Sequence, residues 1–262
     1  MKSDTMSWVL YEDDCFNVFP EIEDESIDMI LCDLPYGTTA CKWDTPLPLD
    51  DLWHEYKRII KSNGAIVLTA SQPFTTRLIS SNYEMFKYCW IWEKPQGVDP
   101  FLTKIRPLNN YEDIIIFSKN STKYNPQMEN GKPYIITRDK TPRDYEITNT
   151  TMKETTTIND GYRYPTRIIK FKQERGMHPT QKPVALFEYL IRTYTNENDL
   201  VLDNCAGSGT TGVACQNLNR NCILIEKEPD YCQIIRERMR TVEDLIVEER
   251  KQQTLMDYCV AK

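Results

Sequence analysis

Histidine is almost missing from this chain: His54 and His178 are the two in 262 residues. The nine cysteines, at 15, 32, 41, 89, 205, 215, 222, 232 and 259, include no C-x-x-C pair. So few imidazoles and no paired thiols argue against a zinc cluster, and scattered reduced thiols, mostly buried, are expected instead. No apolar run approaches the roughly 20 residues that span a bilayer. The opening "MKSDTMSWVLYEDD" has no uninterrupted apolar core of the signal-peptide kind. A cytoplasmic protein without a membrane partner is the expectation. No internal repeat is visible.

Positive charge is also short overall. The net charge is −7, which by itself speaks against a nucleic-acid partner. From Lys119 to Lys182, however, 13 Lys/Arg face 7 Asp/Glu, a local balance of +6 that leaves −13 elsewhere. A basic block inside an acidic chain suits either a localised polyanion contact or a solvated variable segment.

The length allows one large or two modest domains, and 40% hydrophobic with 27% charged residues is ordinary globular composition. Runs of strand length ("WVLY" at 8–11, 26–33, 64–70, 86–94 and 112–119) alternate with helical patterns such as "DDLWHEYKRIIKSNG". There Leu52, Tyr56, Ile59 and Ile60 share a face, and Gly64 reads as the stop. Such alternation implies an α/β fold with a mostly parallel sheet covered on both faces. Residues 120–176 are polar and threonine-rich, too long for an ordinary connection. The pattern then resumes, with helices near 184–194, from Thr210 and from Pro229, and strands at 199–203 and 221–226. The expected organisation is 1–119, an inserted region at 120–176, and 177–262.

Two stretches carry chemistry. In "MILCDLPYGTT" an apolar strand ends on Asp33, Pro35, Tyr36 and Gly37, which fixes an acid and a ring at a strand tip. In "LVLDNCAGSGTTGVAC", Gly207 and Gly209 allow unusual backbone angles and close ligand approach at a helix start. No Lys follows the last glycine, so this is not a phosphate-binding P-loop. A tight turn without a ligand is the competing reading. Glu226 ends the next strand, 23 residues past Asp203, near the offset at which an acid reaches a ribose hydroxyl pair.

"DLPYG" resembles the D-P-P-Y motif of amino-group (N6-adenine/N4-cytosine) DNA methyltransferases. "LDNCAGSGTT" resembles their S-adenosylmethionine loop, and "MHPTQKP" (177–183) the segment that precedes it. Catalytic motif first, then a polar region, then the cofactor loop is the order of the β group of that family. The likeness runs from Trp8 to about Arg240. It departs at Leu34, where a proline is usual, and at Asn204-Cys205, where Pro-Phe is usual.

The resemblance implies a Rossmann-like methyltransferase fold with an inserted target-recognition region, and transfer of a methyl group to adenine N6 in DNA by base flipping. Asp33 and the Pro35 carbonyl would accept the two amino N–H bonds, and Tyr36 would stack on the base. Around the cofactor it implies Asp14, Cys15, Asp33, Asp203, Cys205, Gly207, Gly209, Thr210 and Glu226. Thr180 and Lys182 would lie at the methionine carboxylate, with His178 structural. Lys42 and Trp43 belong to a loop (37–48) expected to close over the extruded base. Arg138, Lys140, Arg143, Arg163, Arg167, Lys170 and Lys172, beside Tyr145, Tyr162 and Tyr164, would face DNA. Double-stranded DNA is the implied partner, with a homodimer and a cognate restriction nuclease admitted. An acid at position 33 leans toward adenine, since relatives acting on cytosine N4 more often carry Ser there. Methylation of cytosine N4, methylation of RNA by a related fold, and a non-catalytic DNA-binding protein are the alternatives.

Overall fold

Strand-length apolar runs and amphipathic helices alternate along the chain, and their packing makes three layers. The computed structural model describes residues 8–37, 44–98, 103–138, 155–174 and 181–260. In chain order come β1 (Trp8–Tyr11), α1 (Cys15–Val18), β2 (Ile27–Cys32), α2 (Leu49–Ile59), β3 (Ile60–Ala70), α3 (Phe74–Ser81), β4 (Phe86–Val98) and β5 (Asn109–Phe117). Four short strands follow: β6 (Glu129–Asn130), β7 (Tyr134–Arg138), β8 (Thr155–Asn159) and β9 (Tyr162–Arg163). The last elements are β10 (Ile168–Lys170), α4 (Val184–Tyr194), β11 (Leu200–Asp203), α5 (Thr210–Asn217), β12 (Asn221–Ile225) and α6 (Pro229–Val260). None of the described helices is long and apolar enough to cross a membrane.

The chain divides into two compact units, Met1–Asn125 with Arg167–Lys262, and Pro126–Thr166. In the larger unit eight strands form one sheet in the order β1-β12-β11-β2-β3-β5-β4-β10. Among the described residues β5 alone runs against the others, antiparallel to both β3 and β4. A sheet of this kind needs cover on both faces, and the central strand β2 is buried along its whole length. Ile30, Cys32, Ile66, Leu68, Ile115 and Phe117 pack on one side with Phe19, Leu52, Tyr56 and Phe74. Met29, Leu31, Ala65, Val67, Ile114 and Ile116 pack on the other, with Leu186, Phe187 and Leu190 of α4 and Met239 of α6.

Period-two alternation has a consequence on that second face. In phase with its apolar residues, Asp33 follows Met29 and Leu31, Thr69 follows Ala65 and Val67, and Lys94 follows Trp90 and Trp92. Asp203 follows Val201, and on the reversed β5 Glu112 precedes Ile114 and Ile116. Five strands thus end their apolar run with a polar group at the same edge.

Several local expectations change. Gly64 does not stop the first long helix: α2 ends at Ile59 and the chain passes straight into β3. Gly64 lies inside that strand, where a Cβ would sit 2.9 Å from the Asp28 carbonyl oxygen. Helix α3 was not anticipated, because eight residues with Phe74, Thr75 and Leu78 buried show too little periodicity. The smaller unit holds two antiparallel ribbons, β6 with β9 and β7 with β8, so the threonine run at 155–157 is strand. Its bounds are narrower than 120–176: β10, in the basic stretch, is the edge strand of the large sheet.

One buried acid ties the amino-terminal edge of that sheet together. Asp28 accepts from Lys61 Nζ (2.7 Å) and Leu200 N (3.1 Å) at one oxygen and from Lys123 Nζ (2.9 Å) at the other. Burial pushes its carboxyl up, but the two lysines outweigh that, and the net position is below the ordinary value. Its stabilising contribution is therefore complete above about pH 4 and lost as pH falls below that. Asp28→Ala, which leaves Lys123 with Asp199 and Lys61 turned to solvent, is expected to cost about 1–3 kcal/mol in urea melts at neutral pH. The variant should also lose part of the acid-side slope that the wild type shows.

Candidate active site

β2 and β11 are hydrogen-bonded neighbours, with Val201 beside Met29 and Leu202 beside Ile30. Asp33 and Asp203, 170 residues apart in sequence, therefore emerge on neighbouring strands at the same carboxyl edge. Together with Pro35, Tyr36, Gly207 and Glu226 they line one cavity of about 230 Å3. Leu34, at the motif's departure, is buried in the core and anchors the turn from below. The base of the loop after it is pinned by Gly37 N donating to Asp44 Oδ1 (2.8 Å). Lys42 and Trp43 lie outside the described residues.

Asp33 is held from three sides. Its Oδ1 accepts from the Tyr36 hydroxyl (2.8 Å) and from the Thr69 hydroxyl, and its Oδ2 lies 2.5 Å from Lys182 Nζ. Burial first, and the facing Asp33 charge second, push the Tyr36 phenol far above its usual range, so it stays a donor. Phe74 stacks on the Tyr36 ring at 5.2 Å between centroids, and Lys182 Nζ lies over the same ring, 5.8 Å from its centroid.

The glycine loop is clamped by an acid. Glu226 Oε2 accepts from Gly207 N (2.7 Å) and Oε1 from Glu228 N (2.9 Å). Burial nevertheless leaves this carboxyl above its ordinary value. Gly207 has φ +52°, and a Cβ placed there would meet nothing within 4 Å. Gly209 is different. Sequence reasoning gives it to the cofactor, but it does not line the cavity. Its φ is +80° and a Cβ would lie 2.9 Å from Ile235 Cγ1, so its role is the close approach of the α5 start to α6. Thr210 lines the cavity.

Asp14 caps α1, accepting from Phe16 N (2.9 Å), and borders the cavity together with Cys15 and Cys205. Burial pushes the Cys15 thiol up to about 12, an inert wall rather than a nucleophile. Asn204 accepts from the buried Tyr56 hydroxyl at 2.5 Å, a tie that a proline could not make.

Lys182 lines the same cavity as Asp203 and Gly207. The resemblance assigns it to the methionine carboxylate; here its ammonium bridges Asp33 Oδ2 (2.5 Å) and Glu112 Oε2 (3.4 Å). Burial pushes the ammonium down, yet the two carboxylates more than compensate and it sits above the usual lysine value. Sequence reasoning missed Thr69 and Glu112, although the alternation of their strands marks both. Thr180 and His178 fall outside the described residues.

Of the cations assigned to DNA, Arg163 has another job. Its guanidinium donates to Asn159 Oδ1, Tyr162 O and Lys132 O and stacks over Tyr134, all within the smaller unit. Arg167 lies exposed over the Tyr88 ring, Lys170 faces Glu93 at 3.3 Å, and Lys172 is exposed. Arg138 ends β7. Lys140, Arg143 and Tyr145 lie outside the described residues, while Tyr162 and Tyr164 are exposed.

A family model described as DNA methylase, covering the N6 and N4 methyltransferases, matches residues 27–237. The chain belongs to the N6/N4 DNA methylase family. Among curated relatives, the type II methyltransferase M.HpaI of Haemophilus parainfluenzae is 28% identical over 83% of this chain and 69% of its own length. M2.MboI of Moraxella bovis is 25% identical over 96% of this chain and 94% of its own. Among solved structures, the M1.HpyAVI complex with S-adenosylmethionine (SAM) aligns with a TM-score of 0.61 at 26% identity, over 88% of this chain and 99% of that one. PvuII DNA methyltransferase, cytosine-N4-specific, aligns with a TM-score of 0.66 at 17% identity, over 92% and 91%, a likeness of fold alone.

In this methylase the buried Asp203 is the acid most displaced from its ordinary range. Burial pushes its carboxyl up to about 6, against hydrogen bonds from Thr211 and Cys205 N that favour its charged form. Between about pH 4 and 6 the folded chain keeps a proton that the unfolded chain loses, so stability falls as pH rises through that window. Asp203→Asn is expected to remove this fall, on the order of 2 kcal/mol, when wild type and variant are melted in urea across the window. An unchanged slope would refute the assignment.

Proposed function

We propose that this chain methylates the N6 amino group of adenine in double-stranded DNA, using SAM, on a nucleotide flipped out of the helix. The observation that carries the reading is that Asp33 and Tyr36 share one cavity with Asp203, Gly207 and Glu226. The residues suit the cofactor. Gly207 leaves open the space a side chain would fill, and each Glu226 oxygen keeps acceptor capacity for a ribose hydroxyl after its backbone bond. Asp14, Cys15 and Cys205 would border the adenosine, and Asp203 and Thr210 the methionine part. The bound cofactor supplies an electrophilic methyl on a sulfonium.

The protein's part is positioning and electrostatics. An exocyclic amine is a weak nucleophile because its lone pair is delocalised into the ring. Asp33, fixed by Tyr36 and Thr69, accepts one N–H and the Pro35 carbonyl the other, which favours a tetrahedral nitrogen. The Tyr36 ring at the cavity wall carries the base. No strong general base is needed, since the methylated ammonium sheds its proton readily. Arg163, Arg167, Lys170 and Lys172 remain candidates for phosphate contact, as do Arg138, Lys140 and Arg143 from sequence, with Arg163 also tied within the smaller unit. The carboxylate at position 33 supports adenine over cytosine.

The deciding experiment incubates the protein with methyl-labelled cofactor and duplex DNA and separates the nucleosides. Labelled N6-methyladenine is expected, and N4-methylcytosine would overturn the base assignment. Methylation of RNA but not of duplex DNA would overturn the substrate. Asp33→Ala should abolish turnover while DNA binding persists in a gel-shift assay. Glu226→Ala should weaken cofactor binding about 10- to 100-fold by calorimetry, the worth of a charged hydrogen bond or two.

A further inference from the structure

Four ionisable side chains form a continuous row on the second face of the sheet. Lys94 Nζ lies 2.5 Å from Glu112 Oε1, Lys182 Nζ lies 3.4 Å from Glu112 Oε2, and the same ammonium lies 2.5 Å from Asp33 Oδ2. Lys94, Glu112 and Lys182 are 8, 9 and 6% exposed. Two positive and two negative charges cancel, a condition for burying them at all. Stability alone is a poor reason for the row, because apolar residues in its place would serve as well. Glu112 Oε2 is moreover buried without a hydrogen bond among the described residues. Asp33, Glu112 and Lys182 all line the cavity, and Asp33 is the member of the row placed in the catalytic motif.

A carboxylate offers about four lone-pair sites. Tyr36 and Thr69 take the two on Oδ1, and Lys182 takes one on Oδ2. One acceptor site remains, on Oδ2, and one amino N–H has to be met there. Without Lys182 that oxygen would have two sites and the carboxylate one restraint fewer.

We propose that Lys182 is a positioning residue for methyl transfer, gripping Oδ2 of Asp33 while Glu112, held in turn by Lys94, anchors the ammonium from behind. The inference deepens the proposed reaction and rests on it. Glu112 has an electrostatic task as well. The target nitrogen becomes positive as it takes the methyl group, and an uncompensated ammonium beside Asp33 would oppose that charge. A second carboxylate behind Lys182 cancels the opposition and leaves Asp33 its full effect. The row explains why a lysine that sequence alone assigns to the cofactor is turned toward the catalytic motif.

Lys182→Met, Lys182→Arg, Glu112→Gln and the double variant Lys182→Met/Glu112→Gln test this. Lys182→Met should lower kcat at saturating DNA and cofactor about 10- to 100-fold, leaving the Kd for cofactor on DNA-free protein nearly unchanged. Lys182→Arg should recover part of the rate. Glu112→Gln should lower kcat less, and the double variant should be no slower than Lys182→Met. A weakened cofactor Kd with kcat unchanged would give Lys182 to the methionine carboxylate and overturn the proposal, as would additive losses in the double variant. Should Lys182→Met fail to fold, Glu112→Gln decides: a lowered kcat with an unchanged cofactor Kd supports the proposal, and an unchanged kcat overturns it. Rates are compared on whichever amino group the wild type methylates, so a cytosine product overturns the adenine reading and leaves this test intact.

Discussion

A charged acceptor has to be kept at the wall of a cavity whose surroundings are the apolar core of an α/β sheet, and the rest of the site answers to that requirement. Asp33 cannot be left with bulk water as its main partner and still hold a fixed direction. The fold surrounds it with a phenol from its own turn, a hydroxyl from β3 and an ammonium from the segment ahead of α4. Taking the ammonium out of water creates a second demand, met by Glu112 of β5, and Glu112 creates a third, met by Lys94 of β4. Each partner is the least costly response to the one before it. The chain of demands ends only when the charges cancel.

The same logic, without net charge cancellation, shapes the other half of the cavity. Glu226 is displaced upward by burial and steadied by two backbone N–H groups, one of them from the open glycine of the loop. A single carboxylate thereby sets the loop's position and presents acceptors to the cavity. Asp203, more deeply buried, relies on Thr211 and on the amide of Cys205. Asp203 ends β11, which lies between β12 and β2, and that is why the glycine loop and the Asp33 turn meet despite their separation in sequence.

Much of this was legible in the residues. Strand runs and amphipathic helices gave a mostly parallel sheet, and motif order gave the two half-sites, because local period and turn chemistry carry that information. What stayed hidden depended on which strands are neighbours. Gly64 looked like a helix stop because its role, the approach of β3 to the Asp28 carbonyl, is tertiary. Gly207 and Gly209 look alike in sequence, yet one faces open space and the other faces Ile235. The partners of Arg163 in the smaller unit, Asn159 and the Lys132 carbonyl, are equally invisible in sequence. Glu112 and Thr69 were readable in principle. Each is a polar residue in phase with an apolar alternation at the end of its strand, which only a shared edge makes meaningful.

The departures from the family motif follow the same reasoning. A proline after Asp33 would stiffen the turn through its ring; Leu34 does so by packing, buried at 3% exposure in the core beneath the motif. Asn204 gains what proline lacks, an acceptor for the Tyr56 hydroxyl, and so links the cofactor loop to α2. Cys205, smaller than phenylalanine, lines the cavity wall with Cys15. Two of the three substitutions exchange covalent stiffness for contacts with the first face of the sheet. The face that carries Asp33, Thr69, Glu112 and Lys94 is left untouched, which is where the orientation of the acceptor is decided.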